Sequence, residues 1–313
     1  MSSSLLPRAL VLVLIGLGMT AEPDRVWSQS VERTVYASVL NRTGAPVTDL
    51  AARDFVVREN STEREVLRVF PATEPLDIAV LVDTSQEAEP FISDFRRGLV
   101  EFFRAIGDRH AIALIGFGER PTVLVNYTND PKRLEAGASR VFSQAGSGAY
   151  LLDGIIEASR GLQQRESSRR VVVVISSEGQ EFSNRYSREV LDDLRASGAI
   201  VEAFVIADRS AASRTFDAAA ARQAAEATAT LPDQSARERE VALSEAARIT
   251  GGRREDLFTS MALGGRLREL AAELNNQYRV VYGRPPTLIP PDSVEILTTR
   301  PELRVRASRI PPK

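Results

Sequence analysis

The stretch LDIAVLVDTSQEAEP, residues 76–90, runs an apolar segment straight into Asp83, two hydroxyls at Thr84 and Ser85, and an acid at Glu87. A second apolar run, RVVVVISS (170–177), ends at another acid, Glu178. Ligands of an open parallel sheet bind just beyond the carboxyl ends of its strands, so two acids there can converge on a cation or on a reacting group. LVDTS also suggests a phosphoryl-accepting aspartate, but Ser85 stands where the second acid of a D-x-D pattern belongs. No G-x-S-x-G or P-loop accompanies these acids, and GFGERP (116–121) lacks the third glycine of a dinucleotide turn.

Composition narrows the chemistry further. The chain has 313 residues, no cysteine, one histidine (His110) and a formal net charge of −2. Disulfides, thiol nucleophiles and zinc–thiolate sites are excluded, and His-based triads are disfavoured. Near-neutral charge argues against nucleic acid or an anionic membrane as the main partner. The basic residues are nearly all arginine, with only Lys132 and Lys313 as exceptions. Residues 1–30 read as an export signal. Arg8 precedes the apolar run ALVLVLIGLGM (9–19), which is shorter than the about 20 residues needed to span a bilayer. A periplasmic or secreted protein is expected, with no membrane span in the mature chain.

The elements that must position the acids follow from periodicity. VERTVYASVL (31–40), DFVVRE (54–59) and EVLRVFP (65–71) are β-rich, with turn chemistry at NRTGAP and NST between them. These make a small N-terminal β domain, 31–73. From there strands and helices alternate: LDIAVLV and RVVVVISS are continuous apolar strands of the kind buried on both faces. Phe91, Phe95, Leu99, Phe102 and Ile106 fall at helical spacing, and HAIALIGF with PTVLVNY reads as a hairpin. Further helices are expected at 149–163, at 187–198 with Gly198 as its stop, at 239–252 and at 263–278, and a further strand at 199–207. Residues 208–240 read as a surface insertion, RRED (253–256) as a solvated charge run, and His110 as a loop or surface residue. The expected fold is α/β, a doubly wound, Rossmann-like, mostly parallel sheet over 74–280. Small β segments flank it at both ends, and the strands of 281–313 are expected to pair with the N-terminal unit.

DTSQE after a strand, then GSGAYLLDGI (146–155), then VVVVISSEGQE (171–181), resembles the von Willebrand factor type A domain in order and spacing. The flanking strands are similar to those of its secreted, acidobacterial-type subgroup. The resemblance implies a six-stranded sheet and a non-catalytic, protein-binding role. It also implies a metal-ion-dependent adhesion site of D-x-S-x-S, a threonine and a further aspartate. This chain keeps Asp83 and Ser85, while Glu87 stands for the second serine, Ala149 for the threonine and Glu178 for the aspartate. A carboxylate one methylene longer, about 1.5 Å, suits flexible Ca²⁺ better than Mg²⁺. By this resemblance Asp83, Ser85, Glu87 and Glu178 form a degenerate metal site. Thr84, Ser147 and Tyr150 lie on the partner-binding face. The leading expectation is an exported adhesion module without metal or other cofactor. The alternatives are a Mg²⁺- or Ca²⁺-dependent adhesin and a hydrolase or phosphatase using Asp83 and Glu178.

Overall fold

The computed structural model describes residues 30–207, 231–286 and 289–311. The expected export signal, Trp27, residues 208–230 of the expected insertion, and Lys313 lie outside the described residues. Residues 231–240, read as part of the insertion, are already helical.

The chain begins with β1 (Val31–Leu40), β2 (Phe55–Glu59), β3 (Thr62–Arg64) and β4 (Val66–Pro71). The α/β body follows: β5 (Asp77–Val82), α1 (Ile92–Ile106), β6 (Ala111–Gly116), β7 (Thr122–Thr128), α2 (Pro131–Ala138) and α3 (Leu151–Gln163). It continues with β8 (Arg170–Ser177), α4 (Ser187–Ser197), β9 (Ile200–Ile206), α5 (Leu231–Thr250), β10 (Arg253–Leu257) and α6 (Leu263–Asn275). The chain closes with β11 (Tyr278–Arg284), β12 (Val294–Thr298) and β13 (Arg304–Ala307).

Six strands form the central sheet in the order β10-β9-β8-β5-β6-β7. All neighbours are parallel except β6 and β7, the hairpin. β5 and β8 are buried along nearly their whole length, which explains their unbroken apolar runs. Their alternate side chains feed two cores. Ile78, Val80 and Val82 pack with Phe95, Leu99 and Phe102 of α1 and Leu267 of α6. Leu81, Val172 and Val174 pack with Ile155 of α3, Leu194 of α4 and Ala246 of α5. Each fully buried Leu, Ile or Phe contributes about 1.5–3 kcal/mol, so these two layers dominate stability. Gly198 ends α4 at φ 67, the left-handed conformation that closes a helix at low cost only in glycine.

Both ends of the chain build one β unit beneath this body. One sheet runs β13-β1-β11-β4 and another β12-β2-β3, with Val35, Val57, Val280 and Ile296 in the core between them. The C-terminal strands therefore pair with the N-terminal ones. Neither end can cover its apolar face alone. A buried charge cluster ties β13 to the α/β body: Arg306 donates to both oxygens of Glu273 (2.8 and 2.7 Å) and to Glu202. Arg253 lies 3.1 Å from Glu202 and 3.6 Å from Glu273.

Two readings of the sequence are corrected here. RRED is strand β10 at the sheet edge, in parallel register with β9, and Arg253 turns inward to the buried carboxylates. Its charges are paired, so the run reads as solvated only while its partners are unknown. His110 is fully buried rather than on the surface. Its Nδ1 accepts from the Leu76 N–H (3.1 Å) and its Nε2 lies 2.9 Å from Asn275 Oδ1, bolting β5 to α6. Burial lowers its pKa, consistent with a neutral structural imidazole.

Candidate functional site

β5 and β8 are neighbours at the point where the winding reverses, and their carboxyl ends open the crevice in which such sheets bind ligands. Asp83, the first residue after β5, is fully buried there. Its Oδ1 accepts from the Ser85 N–H (2.9 Å), and its Oδ2 accepts from the Ser177 N–H (3.0 Å) and the Ser177 hydroxyl (2.7 Å). The Ser176 hydroxyl stands at 3.5 Å. The carboxylate is thus held by neutral dipoles from the ends of its own strand and of β8.

The loops above the sheet are laced around it. The Thr84 hydroxyl accepts from the Gly118 N–H (2.8 Å), and its carbonyl accepts from the Gln144 N–H (2.9 Å). Thr84 is buried, so it holds the loop together rather than presenting a hydroxyl outward. Gln86 Oε1 accepts from the Gly146 N–H (2.6 Å), and the Gln86 N–H donates to the Ser147 carbonyl (3.2 Å). The Ser147 hydroxyl donates to the Gln144 carbonyl (2.8 Å), inside its own turn. Gly179 lies against this lattice: a Cβ there would meet Glu87 Cβ at 2.9 Å and Ser177 Oγ at 3.1 Å.

The acids are not all brought together. Asp83, Ser85 and Glu87 share one loop, and the Ser85 Oγ and Glu87 Oε2 are buried without hydrogen-bond partners. Glu178 is exposed. The buried acid of that loop is Glu181, whose Oε1 accepts from the Ser183 N–H (3.1 Å) and whose Oε2 has no partner. Burial raises the Glu181 pKa, against the pull of Ser183 and Arg239. Ala149 is buried in a short parallel bridge to Glu181 and supplies no side-chain oxygen. Tyr150 is half-buried, with its ring 6.2 Å from that of exposed Phe182.

The residue that sequence reasoning missed is Arg239 of α5. It is 7% exposed, and its guanidinium donates to the Gly179 carbonyl (2.5 Å), the Ser177 carbonyl and the Ser176 hydroxyl (2.9 Å). Ser176 in turn stands beside Asp83, so a fixed positive charge sits one hydroxyl away from the carboxylate. Nothing in RERE (237–240) marks one arginine of an arginine- and glutamate-rich helix as the one that turns inward.

Set against a divalent ion, this donor set fits only in part. The orphaned oxygens of Ser85 and Glu87 are acceptors that a cation would satisfy. Asp83 has hydrogen bonds on both oxygens, Ala149 contributes none, and Arg239 brings positive charge to the same loops. Among the described residues no three acidic or histidine side chains converge as a metal-binding group.

Residues 78–180 match the profile of the von Willebrand factor type A domain. No curated protein matches the chain. Among solved structures, a von Willebrand factor type A protein from Catenulispora acidiphila is similar at 10% identity, covering 84% of this chain and 74% of its own, with a TM-score of 0.48. The von Willebrand factor domain of the type V pili tip protein Mfa5 from Porphyromonas gingivalis is similar at 17% identity over 35% of this chain and 40% of its own (TM-score 0.30). Proximal thread matrix protein 1 from the mussel byssus is similar at 14% identity over 69% and 50% (TM-score 0.47). This chain thus spans half or less of the last two. The matched stretch runs from β5 to the loop after β8 and holds Asp83 at the switch point, so in this part the α/β body is similar to a von Willebrand factor type A domain.

Proposed function

We propose that this protein is an exported, non-catalytic protein-interaction module whose adhesion-type site works without a metal ion. The observation that carries the reading is Arg239. A guanidinium anchored on Ser176, Ser177 and Gly179 already supplies positive charge beside Asp83, in a loop set where Ala149 removes one metal oxygen and Glu178 lies exposed. The contact face comprises the loops after β5, around Ser147–Tyr150 and after β8. Exposed Phe182 and Tyr186 supply aromatic area of the kind enriched at interfaces. No catalytic step is assigned to Asp83 and Glu178, because an exposed acid and a fully hydrogen-bonded one make no acid–base pair.

A metal-dependent adhesin is the second reading, favoured by the unpartnered Ser85 Oγ and Glu87 Oε2. Thermal unfolding in EDTA, Mg²⁺, Ca²⁺ and Mn²⁺ separates the two. The metal-free module unfolds at one temperature in all four. A bound ion at a hundredfold excess over its Kd would add about 2.7 kcal/mol, a rise of several degrees. Such a rise, abolished in Asp83→Ala, would establish the metal-dependent adhesin instead.

A further inference from the structure

At the opposite end of the sheet from Asp83, a cavity of about 620 Å³ opens between the base of the α/β body and strand β1. Arg33, Arg169, Arg170, Arg195 and Arg279 line it, against a single carboxylate, Glu32. Two of these arginines have identified acidic partners, Arg279 with Glu74 (2.6 Å) and Arg195 with Asp192 (2.9 Å), and Glu32 is held by Arg68 from outside. Arg169 and Arg170 differ. Arg169 is only 3% exposed, yet its guanidinium donates to the carbonyls of Glu74 and Leu274 and to the Gln277 amide oxygen, all neutral acceptors. Arg170 donates to the carbonyls of Ser197 (2.8 Å) and Arg165 (2.7 Å). Among the described residues neither has a carboxylate at ion-pair distance, and the Nε of each is buried without a partner.

A buried cation held only by neutral dipoles has lost its hydration without gaining a counter-charge. Arg169 is such a cation, and half-buried Arg170 lies next to it in sequence on the same cavity wall. Burial lowers the pKa of Arg169 to about 10, reinforced by Arg109 and opposed by Tyr36 and Glu74, so it remains charged at neutral pH. The hydroxyls of Tyr36 and Ser168, 3.0 Å apart, add neutral donors to the same lining. Val35, Leu76, Val171 and Ile200 supply an apolar portion, and the volume falls within the range of small-molecule sites.

We infer that this cavity is a binding site for a small organic oxyanion, a carboxylate or a phosphate ester, whose head meets Arg169 and Arg170 and whose carbon skeleton lies on the apolar wall. Planar guanidinium groups match both oxyanions through paired N–H donors, so the two chemistries share one site. Because the walls come from β1, from the base of β8 and β9 and from the stretch after α6, the ligand locks the β unit to the α/β body.

Thermal unfolding and calorimetric titration of the full chain test this in low-chloride buffer, with succinate, glycerol phosphate and inorganic phosphate as probes and NaCl at matched ionic strength as control. The expected result is a saturable rise in Tm of several degrees with succinate or glycerol phosphate, well beyond that in NaCl. The organic anion that binds more tightly identifies the head group. Loss of one charge-assisted contact in Arg170→Gln should weaken Kd at least about tenfold. Should that variant not fold, Arg195→Gln at the half-exposed rim carries the same comparison with a smaller effect. Asp83→Ala should leave the titration unchanged, which separates this site from the upper face. A rise no larger than in NaCl, or equal affinity in wild type and both arginine variants, would overturn the inference. Inorganic phosphate binding as tightly as the organic anions would remove the apolar wall from it.

Discussion

At the upper end of the central sheet, Asp83 is buried among hydroxyls and backbone N–H groups, and the guanidinium of Arg239 is linked to it through Ser176. At the lower end, on the β9–β10 side, Glu202 and Glu273 bond Arg306 directly and lie beside Arg253. Both arrangements bury charge, but they do so for different ends. Direct pairs neutralise each other and fix the position of whatever carries them, here β13 against the α/β body. Around Asp83 the direct donors are neutral, and the nearest positive charge, Arg239, reaches it only through the Ser176 hydroxyl. The Glu202–Glu273 cluster holds two parts of the fold together, whereas the Asp83 loops leave their carboxylate without a direct ionic partner.

Breaking the holding end should cost most. Arg306→Ala leaves two buried carboxylates with Arg253 as their one cation, and removing one partner of a buried pair costs about 3–5 kcal/mol. Urea denaturation should show that loss as a lower midpoint. A change below about 1 kcal/mol, the range of exposed pairs, would mean that the cluster is solvated and the contrast is unfounded.

The pH dependence sharpens the same contrast. Burial, opposed by Arg306 and reinforced by Glu273, pushes Glu202 up to about 7 from an ordinary 4.5. A carboxyl with a raised folded-state pKa holds its proton more tightly when folded. Its contribution is therefore fully present below 4.5 and is lost as pH rises through about 7. Between those limits it gives a slope of at most about 1.4 kcal/mol per pH unit. Glu181 shifts in the same direction at the upper end, so wild type must be compared with Glu202→Gln. The difference in stability between the two, read across that window, should fall with rising pH. A pH-independent difference would show that Glu202 is ionised throughout.

At the upper end the effects should be smaller and more informative. Arg239→Met leaves Ser176, the Ser177 carbonyl and the Gly179 carbonyl without their donor, a loss of about 1–3 kcal/mol. If the guanidinium serves as the resident cation, the same variant should gain a Mg²⁺- or Ca²⁺-dependent rise in Tm that the wild type lacks. A loss of stability with no new ion response would reduce Arg239 to a brace for the β8 loop.

The legibility of the sequence follows the same division. β5 and β8 were readable because burial on both faces demands unbroken apolar runs, and α1 because its one buried face demands phenylalanines at helical spacing. Asp83 was readable because an acid directly after such a run has few other reasons to be there. Buried charges were not. RRED, His110 and Arg239 all look solvent-facing until Glu202, Asn275 and Ser176 are seen beside them, and those partners lie far away in the chain. Helix α2 is too short to show apolar periodicity and is marked only by local signals: Asp130 caps it by accepting from the Lys132 N–H (2.9 Å), and Pro131 opens its first turn. Spacing from β8 pointed to Glu178, but an acid immediately after a strand can leave the loop in either direction. The buried carboxylate proved to be Glu181, three residues on.

The smallest expected effect tests that last point. Glu178 is exposed, so Glu178→Ala should change stability by no more than about ±0.5 kcal/mol, the range of surface substitutions away from special features. Asp83→Ala instead removes the acceptor of the Ser85 and Ser177 donors inside a closed loop set, and leaving buried donors unsatisfied costs about 1–3 kcal/mol. A hydrolase built on the two acids requires them to act together, so both variants would abolish turnover alike. A metal site using both would lose its ion response in both. The geometry instead predicts strongly unequal variants: Asp83 matters to fold and face, and Glu178 only to whatever touches the surface. Equal effects of the two on unfolding in Ca²⁺ would show the Glu178 carboxylate turning in to share a ligand with Asp83, and would join the two halves of the site that this structure holds apart.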